Sequence, residues 1–101
     1  MSEIEKEGSK AVFRPGRDIV ASVISGMRQQ LKELMADGIT ELTIDMSGVE
    51  MIDSVGLGLL ISAHNSLSRV GGTLTVNNVS KDLYDLFSNM RLTQHFTVLK
   101  A

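Results

Sequence analysis

The 101-residue sequence contains no cysteine, no tryptophan and a single proline, and aromatic residues make up only 4% of it. Without cysteine the chain cannot form disulfides, thiolate metal sites or a cysteine nucleophile. No apolar run approaches the roughly 20 residues that span a bilayer. The polar residues 1–6 also lack the apolar stretch of a signal peptide. We therefore predict a cytoplasmic protein that does not insert into a membrane.

The chain also has no excess of basic residues over acidic ones. Ten lysines and arginines stand against twelve acidic residues, which gives a formal net charge of −2. No basic stripe with interleaved aromatic residues runs along the chain, so direct binding to nucleic acid is not expected. The length suits one compact domain, and an apolar content of 43% is ordinary for a globular protein.

Strand-like and helix-like patterns alternate along the chain. From residue 41 onward their order predicts parallel strands joined by right-handed crossovers. The predicted strands are 11–14, 41–46, 73–76 and 96–99, with a turn at 77–78. The predicted helices are 19–35, 54–70 and a third that is capped by Ser80; Asp18 or Ser22 caps the first. Residues 1–10 are expected to form a flexible segment or an edge strand near 3–5, and residues 11–101 the folded domain.

The most informative segment surrounds Ser54, at the expected start of the second helix. Gly56 and Gly58 fall in its first turn, where each glycine costs about 1 kcal/mol relative to alanine. Their presence suggests that something approaches the backbone closely there. A helix N-terminus carries unpaired N–H groups and about half a positive charge, which favours a phosphate on Ser54. Such a phosphate adds roughly −1.5 to −2 charges beside Asp53 and is expected to repel a docked partner without unfolding the helix.

Structural roles for the same residues remain open. Ser54 or Asp53 can simply cap the helix, and the glycines can allow close packing on the sheet. Asp45, at the end of a strand, can brace the loop that follows it.

The apolar pattern of the second helix gives it two distinct sides. One stripe is expected to pack on the sheet and consists of Gly56, Leu59, Leu60, Ala63, Leu67 and Val70. Leu57 and Ile61 fall on another side with His64, where they form either an apolar docking ridge or half-buried packing. His64 and His95 are each expected to be isolated surface residues, because neither is spaced to join a second ligand.

The segment around Ser54 resembles the signature of STAS domains, in particular of bacterial anti-sigma factor antagonists. The resemblance rests on residues 42–47, on Asp-Ser-Val-Gly-Leu-Gly at 53–58, and on the later segments 71–76 and 83–87. It implies an α/β fold with a four- or five-stranded mixed β-sheet and about three or four α-helices packed mainly on one face. The sequence departs from the family pattern at residues 15–20, where the usual opening is short.

The resemblance also implies a function. Ser54 matches the family's phosphorylated serine. The unphosphorylated form would bind an anti-sigma factor that is itself a serine kinase using ATP and Mg²⁺, phosphorylation would release this partner, and a serine phosphatase would reverse the modification. The partner contact that the resemblance implies comprises Asp45, Asp53, Ser54, Gly56, Leu57 and Gly58. The pattern of the second helix adds Ile61 and His64 to this predicted contact.

Two other functions compete with this one. The first is a STAS-type scaffold subunit of a lipid-transport ATPase, or of a stress-sensing or chemotaxis-like complex. Phosphorylation would not control the binding of such a subunit. A receiver-like phospho-acceptor would use Asp45 and Asp53 to hold Mg²⁺, but no lysine follows at the end of a later strand to complete that site. Neither a nucleophile elbow nor a glycine-rich phosphate loop occurs. We therefore predict a non-enzymatic binding module that has no cofactor or metal of its own.

Overall fold

The structure, a computed structural model, describes residues 2–101. Its elements in chain order are β1 (Glu3–Glu7), β2 (Lys10–Arg14), α1 (Ala21–Ala36), β3 (Glu41–Asp45), α2 (Ser54–Arg69), β4 (Thr73–Val79), α3 (Lys81–Asn89) and β5 (Thr97–Lys100). The five strands form one sheet in the order β1-β2-β3-β4-β5. The β1 strand is antiparallel to β2, and all other neighbours are parallel. This confirms the expected mixed sheet and the parallel order from residue 41 onward.

The helices connect neighbouring parallel strands, and each connection steps in the same direction across the sheet. Right-handed crossovers of this kind place all three helices on one face. The residues of the sheet that point to that face are buried and apolar: Ala11, Phe13, Leu42, Ile44, Leu74, Val76 and Val98. The alternate positions carry mostly polar residues, which is the pattern of a two-layer fold with one open sheet face.

The first ten residues contain an edge strand rather than only a flexible segment. All five residues of β1 are exposed, and four of them are charged. Charged side chains on an exposed edge discourage pairing with the sheet of another molecule. Met1, the first residue of this predicted segment, lies outside the described residues.

The predicted turn at residues 77–78 is wrong, because β4 continues through it to Val79. Asn78 has a left-handed backbone (φ 54°) at a point where the pairing with β5 shifts register. Its side-chain amide donates to Asp45 on the neighbouring strand. The two asparagines therefore mark an irregularity within a strand, where the sequence pattern suggested its end.

The predicted helix ends are partly correct. The start of α2 at Ser54 is as predicted, and Ser80 caps α3 by accepting from the N–H of Leu83. Val70, expected in the buried stripe of the second helix, is exposed because it follows the last residue of α2. Across residues 2–101, we find no helix with the length and apolar character needed to cross a membrane.

Candidate functional site at the start of α2

The loop between β3 and α2 is held in place by the segment that precedes α1. The carboxylate of Asp18 accepts hydrogen bonds from the backbone N–H groups of Glu50 (2.9 Å) and Met51 (3.0 Å). The N–H of Ile19 donates to the carbonyl oxygen of Met51, and the N–H of Asp53 donates to that of Ile19. Residues 18 and 19 therefore fix the path of the chain into α2. The sequence pattern indicated Asp18 only as a possible helix cap.

Asp53 caps two helices at once. One carboxylate oxygen accepts from the N–H of Gly56 in α2 (2.8 Å), and the other accepts from the N–H of Ala21 in α1 (2.9 Å). Within the described residues, the start of α1 has no cap from a neighbouring side chain, so both predicted caps, Asp18 and Ser22, are wrong. The hydrogen bonds from Gly56 and Ala21 lower the pKa of Asp53. A single carboxylate thus joins the N-termini of α1 and α2.

This double cap predicts a pH-dependent stability difference between the wild type and Asp53→Asn. A carboxyl whose pKa is lowered by folding stabilises the fold above its unfolded pKa of about 3.9, and this contribution is lost as the pH falls through the folded pKa. We expect Asp53→Asn to lower the Tm by several degrees at neutral pH, with a smaller difference between the two proteins near pH 3. Thermal unfolding followed by circular dichroism at both pH values measures this difference.

Asp82→Asn is the matched control, because Asp82 is exposed in the first turn of α3 and serves only that helix. It should have a much smaller effect. Equal losses for the two variants, independent of pH, would show that Asp53 has no special capping role.

Ser54 is the first residue of α2 and is exposed to solvent. Because Asp53 is the N-cap residue, the hydroxyl of Ser54 is not needed for capping. A phosphate on this oxygen would lie at the positive end of the helix dipole and beside the carboxylate of Asp53. The serine is therefore accessible for modification without loss of the interaction that begins the helix.

The two glycines of the first turns differ in their surroundings. Gly56 is buried, and a Cβ atom at this position would overlap the carbonyl oxygen of Ile19 and lie 2.7 Å from Cγ1 of Ile52. In the described part of the chain, nothing lies within 4 Å of a Cβ atom built on Gly58, which is exposed. Close internal packing thus accounts for Gly56, whereas Gly58 leaves bare backbone at the surface.

An exposed surface, the tip surface, is formed by Met51, Ser54, Val55, Gly58 and Ile61. Its three large apolar side chains are well exposed: Met51 by 58%, Val55 by 43% and Ile61 by 37%. Residues 54, 58 and 61 follow one another at helical spacing and so share one stripe of α2. Of the two alternatives left open for Leu57 and Ile61, packing inside the protein holds for Leu57, which is buried in the core, whereas Ile61 is exposed.

Asp45 has an internal role in the structure. It is buried and accepts hydrogen bonds from the backbone and hydroxyl of Ser47, from the side-chain amide of Asn78 (2.9 Å) and from Nε of Arg14 (3.0 Å). Burial raises the pKa of Asp45, but the hydrogen bonds from Asn78, Ser47 and Arg14 outweigh it and lower the pKa to about 2. Asp45 therefore braces the strand ends beneath the loop.

The eight predicted contact residues are not all on the surface. Ser54, Gly58 and Ile61 are exposed, Asp53 and His64 are half-buried, and Asp45, Gly56 and Leu57 are buried. His64 is not isolated as expected, since its ring lies 6.1 Å from that of His95 between ring centres. Met51 and Val55 were not among the predicted residues, although their apolar character beside Ser54 was visible in the sequence.

Comparisons with known proteins agree with this architecture. The sequence matches the STAS domain family over residues 2–100. A Thermotoga maritima protein, described as a candidate anti-sigma factor antagonist, is similar with a TM-score of 0.92 at 16% identity, covering 99% of this chain and 86% of that chain. An anti-sigma factor antagonist from Mycobacterium paratuberculosis gives 0.87 at 22% identity, covering 100% and 86%.

SpoIIAA, an anti-sigma factor antagonist of Bacillus, is similar in both of its phosphorylation states. The unphosphorylated form gives a TM-score of 0.78 at 16% identity, covering 100% of this chain and 88% of that chain. The phosphorylated form gives 0.77 at 18% identity, covering 97% and 90%. At these identities the likeness shows the fold alone. No curated protein sequence matches this one as a relative.

Proposed function

Because this chain belongs to the STAS domain family, we propose that it is an anti-sigma factor antagonist whose binding to an anti-sigma factor kinase is switched by phosphorylation of Ser54. The observation that carries this proposal is the position of Ser54: exposed, at the first residue of α2, and within an apolar surface. The protein itself acts without catalysis and in the cytoplasm. Binding of the unphosphorylated form to the kinase would free the sigma factor.

In the unphosphorylated state, the tip surface is the part of the molecule that contacts the partner. Its exposed apolar side chains gain free energy when they leave water, at roughly 25 cal/mol for each Å² of apolar surface buried. Gly58 allows the partner to approach the backbone of α2 closely. Ile61 extends the contact along the helix, and His64 borders it.

The remaining predicted residues support this surface from below. Asp53 and Gly56 fix the start of α2 against Ile19, Leu57 anchors the helix in the core, and Asp45 holds the strand ends. They act on the contact through the position of the helix rather than by direct burial against the partner.

Phosphorylation would change the charge of this surface more than its shape. A phosphoserine adds roughly −1.5 to −2 charges at neutral pH. Burying that charge against an apolar partner surface is costly unless cations pair with it. The nearby carboxylate of Asp53, which holds both helices, would oppose the phosphate by repulsion. The partner therefore dissociates while the fold is retained.

The partner supplies the chemistry of the modification. The kinase would bring ATP and Mg²⁺, and a separate serine phosphatase would reverse the reaction. In the described residues there is no group of three or more His, Cys, Asp or Glu side chains able to hold a metal. Asp45 and Asp53 are instead engaged with Arg14 and with helix N–H groups.

A phosphorylation assay tests this proposal. Incubation with the anti-sigma factor kinase of the source organism, ATP and Mg²⁺ should add the mass of one phosphate to the wild type and none to Ser54→Ala. Intact-mass spectrometry measures both. No gain in the wild type, together with wild-type partner binding by Ser54→Asp, would instead indicate an unswitched scaffold subunit.

Gly58→Ala should separate stability from binding. A Cβ at this position meets open space, so replacing glycine within the helix should stabilise the fold by about 0.5–1 kcal/mol. The same methyl group should weaken partner binding several-fold, because it occupies the close approach. Urea unfolding and a binding titration measure the two effects. A variant that is more stable and binds equally well would remove Gly58 from the contact.

A further inference from the structure

We infer that His64 and His95 together bind one divalent transition-metal ion, such as Ni²⁺, Zn²⁺ or Cu²⁺, between α2 and the turn before β5. The two residues are the only histidines of the chain. They come from separate elements 31 positions apart, and the fold brings their ring centres to 6.1 Å. This inference does not require phosphorylation of Ser54, although Ile61 and His64 also belong to the edge of the proposed partner contact.

The separation of the rings suits a shared ion. With a metal–nitrogen bond of roughly 2.0–2.1 Å, two imidazoles on one tetrahedral ion have their ring centres roughly 5.3 Å apart, so side-chain rotation has to bring the rings closer by about 1 Å. The rings are tilted by 52° to each other rather than stacked, so a nitrogen of each can face a common point after small side-chain rotations. Neutral imidazole is a preferred ligand of zinc, copper and nickel.

The surroundings form a small hollow. A cavity of about 150 Å³ is lined by Ile61, His64, Asn65, Leu92, His95 and Phe96. This volume accommodates an ion with one or more water molecules. The ring of Phe96 lies 5.7 Å from that of His64 and limits its movement. Leu92 and Phe96 are buried, whereas Ile61, Asn65 and His95 are exposed, so the hollow stays open to water and to an entering ion.

The chemistry of the hollow also predicts which ions it excludes. The lining contains no carboxylate, and its one side-chain amide oxygen is that of Asn65, so Ca²⁺ and Mg²⁺, which require several oxygen ligands, should not bind. Two nitrogen ligands leave the other coordination positions to water. The site is therefore expected to be of modest affinity and reversible.

Both histidines occupy positions where substitution should leave the fold intact. His64 is half-buried on the outer side of α2, and His95 is exposed after the short turn Leu92–Gln94. His64→Gln and His95→Gln retain polar side chains of similar length. Each variant should show the circular dichroism spectrum and Tm of the wild type in the absence of metal.

Isothermal titration calorimetry of the full-length, tag-free protein with NiCl₂, and separately with ZnCl₂, tests the site. The wild type should bind one ion per chain, and each single variant should bind at least 10-fold more weakly. Asp82→Asn, a control for weak binding to surface carboxylates, should bind as the wild type does. MgCl₂ should give no binding heat.

A spectroscopic measurement locates the ion. Substoichiometric Cu²⁺ should broaden the NMR amide signals of residues 61–65 and 92–96 at the same point of the titration, and this broadening should disappear in either variant. Absence of binding at millimolar metal, binding that neither variant weakens, or binding that depends on one histidine alone would each overturn the inference.

Discussion

Ser54→Asp is expected to weaken binding to the anti-sigma factor kinase by at least 10-fold, which corresponds to about 1.4 kcal/mol. The substituted carboxylate would lie in the middle of the tip surface, one residue from Asp53. It would have to leave water when the partner docks, and it would add repulsion to an existing negative charge. A phosphate carries more charge than a carboxylate, so phosphorylation itself should have the larger effect.

Ser54→Ala is the matched variant for this measurement. It removes the hydroxyl without adding charge, and its affinity should stay close to that of the wild type. Both variants should retain the wild-type far-UV circular dichroism spectrum, because Asp53 rather than Ser54 caps α2. If Ser54→Asp binds with the affinity of Ser54→Ala, charge at this position does not control the contact.

Gly56→Ala is expected to destabilise the fold by about 1–3 kcal/mol, the usual cost of overpacking a closely packed site. The added methyl group would overlap the carbonyl oxygen of Ile19 and crowd the side chain of Ile52. Relief of this overlap requires α2 to move away from the segment before α1. That movement would also lengthen the hydrogen bonds by which Asp53 joins the two helices. Urea unfolding gives the change in the free energy of unfolding.

Gly58→Ala provides the comparison, since it is the same substitution one half-turn further along the same helix. The two variants should change stability in opposite directions. A Gly56→Ala protein as stable as the wild type would mean that the start of α2 can shift freely, and the tip surface would then lack a fixed shape.

Much of the fold could be predicted because its signals are local. Alternating and helical apolar spacing indicated the parallel order of β3, β4 and β5, and the start of α2 was found at Ser54. Ser80 was recognised as a cap because capping depends on a residue and its next three neighbours. The candidate site was visible for the same reason, as a serine, an acid and two glycines within six residues.

The parts that were wrong or missed depend on contacts between distant segments. Asp53 could be recognised as a cap of α2, but its bond to Ala21 joins residues 32 positions apart. The same holds for the hydrogen bonds from Glu50 and Met51 to Asp18. Periodicity within one segment contains no information about which other segment lies beside it.

The side of α2 that carries Leu57 illustrates this limit. Helical spacing placed Leu57 away from the main buried stripe, which allowed either an exposed ridge or half-buried packing. In the structure α1 packs against α2, and Leu57 belongs to the core while Ile61 stays partly exposed. Two exposed apolar residues adjoin Ser54 in the sequence: Val55 lies in the first turn of α2, and Met51 lies in the loop before it.

Amide hydrogen exchange of the unphosphorylated protein, alone and in complex with the anti-sigma factor kinase, measures whether the partner covers the start of α2. We expect added protection in residues 51–61, no change in β3, β4 and β5, and loss of the added protection once Ser54 is phosphorylated. Protection confined to the strands, with the start of α2 exchanging as freely as in the isolated protein, would contradict this expectation.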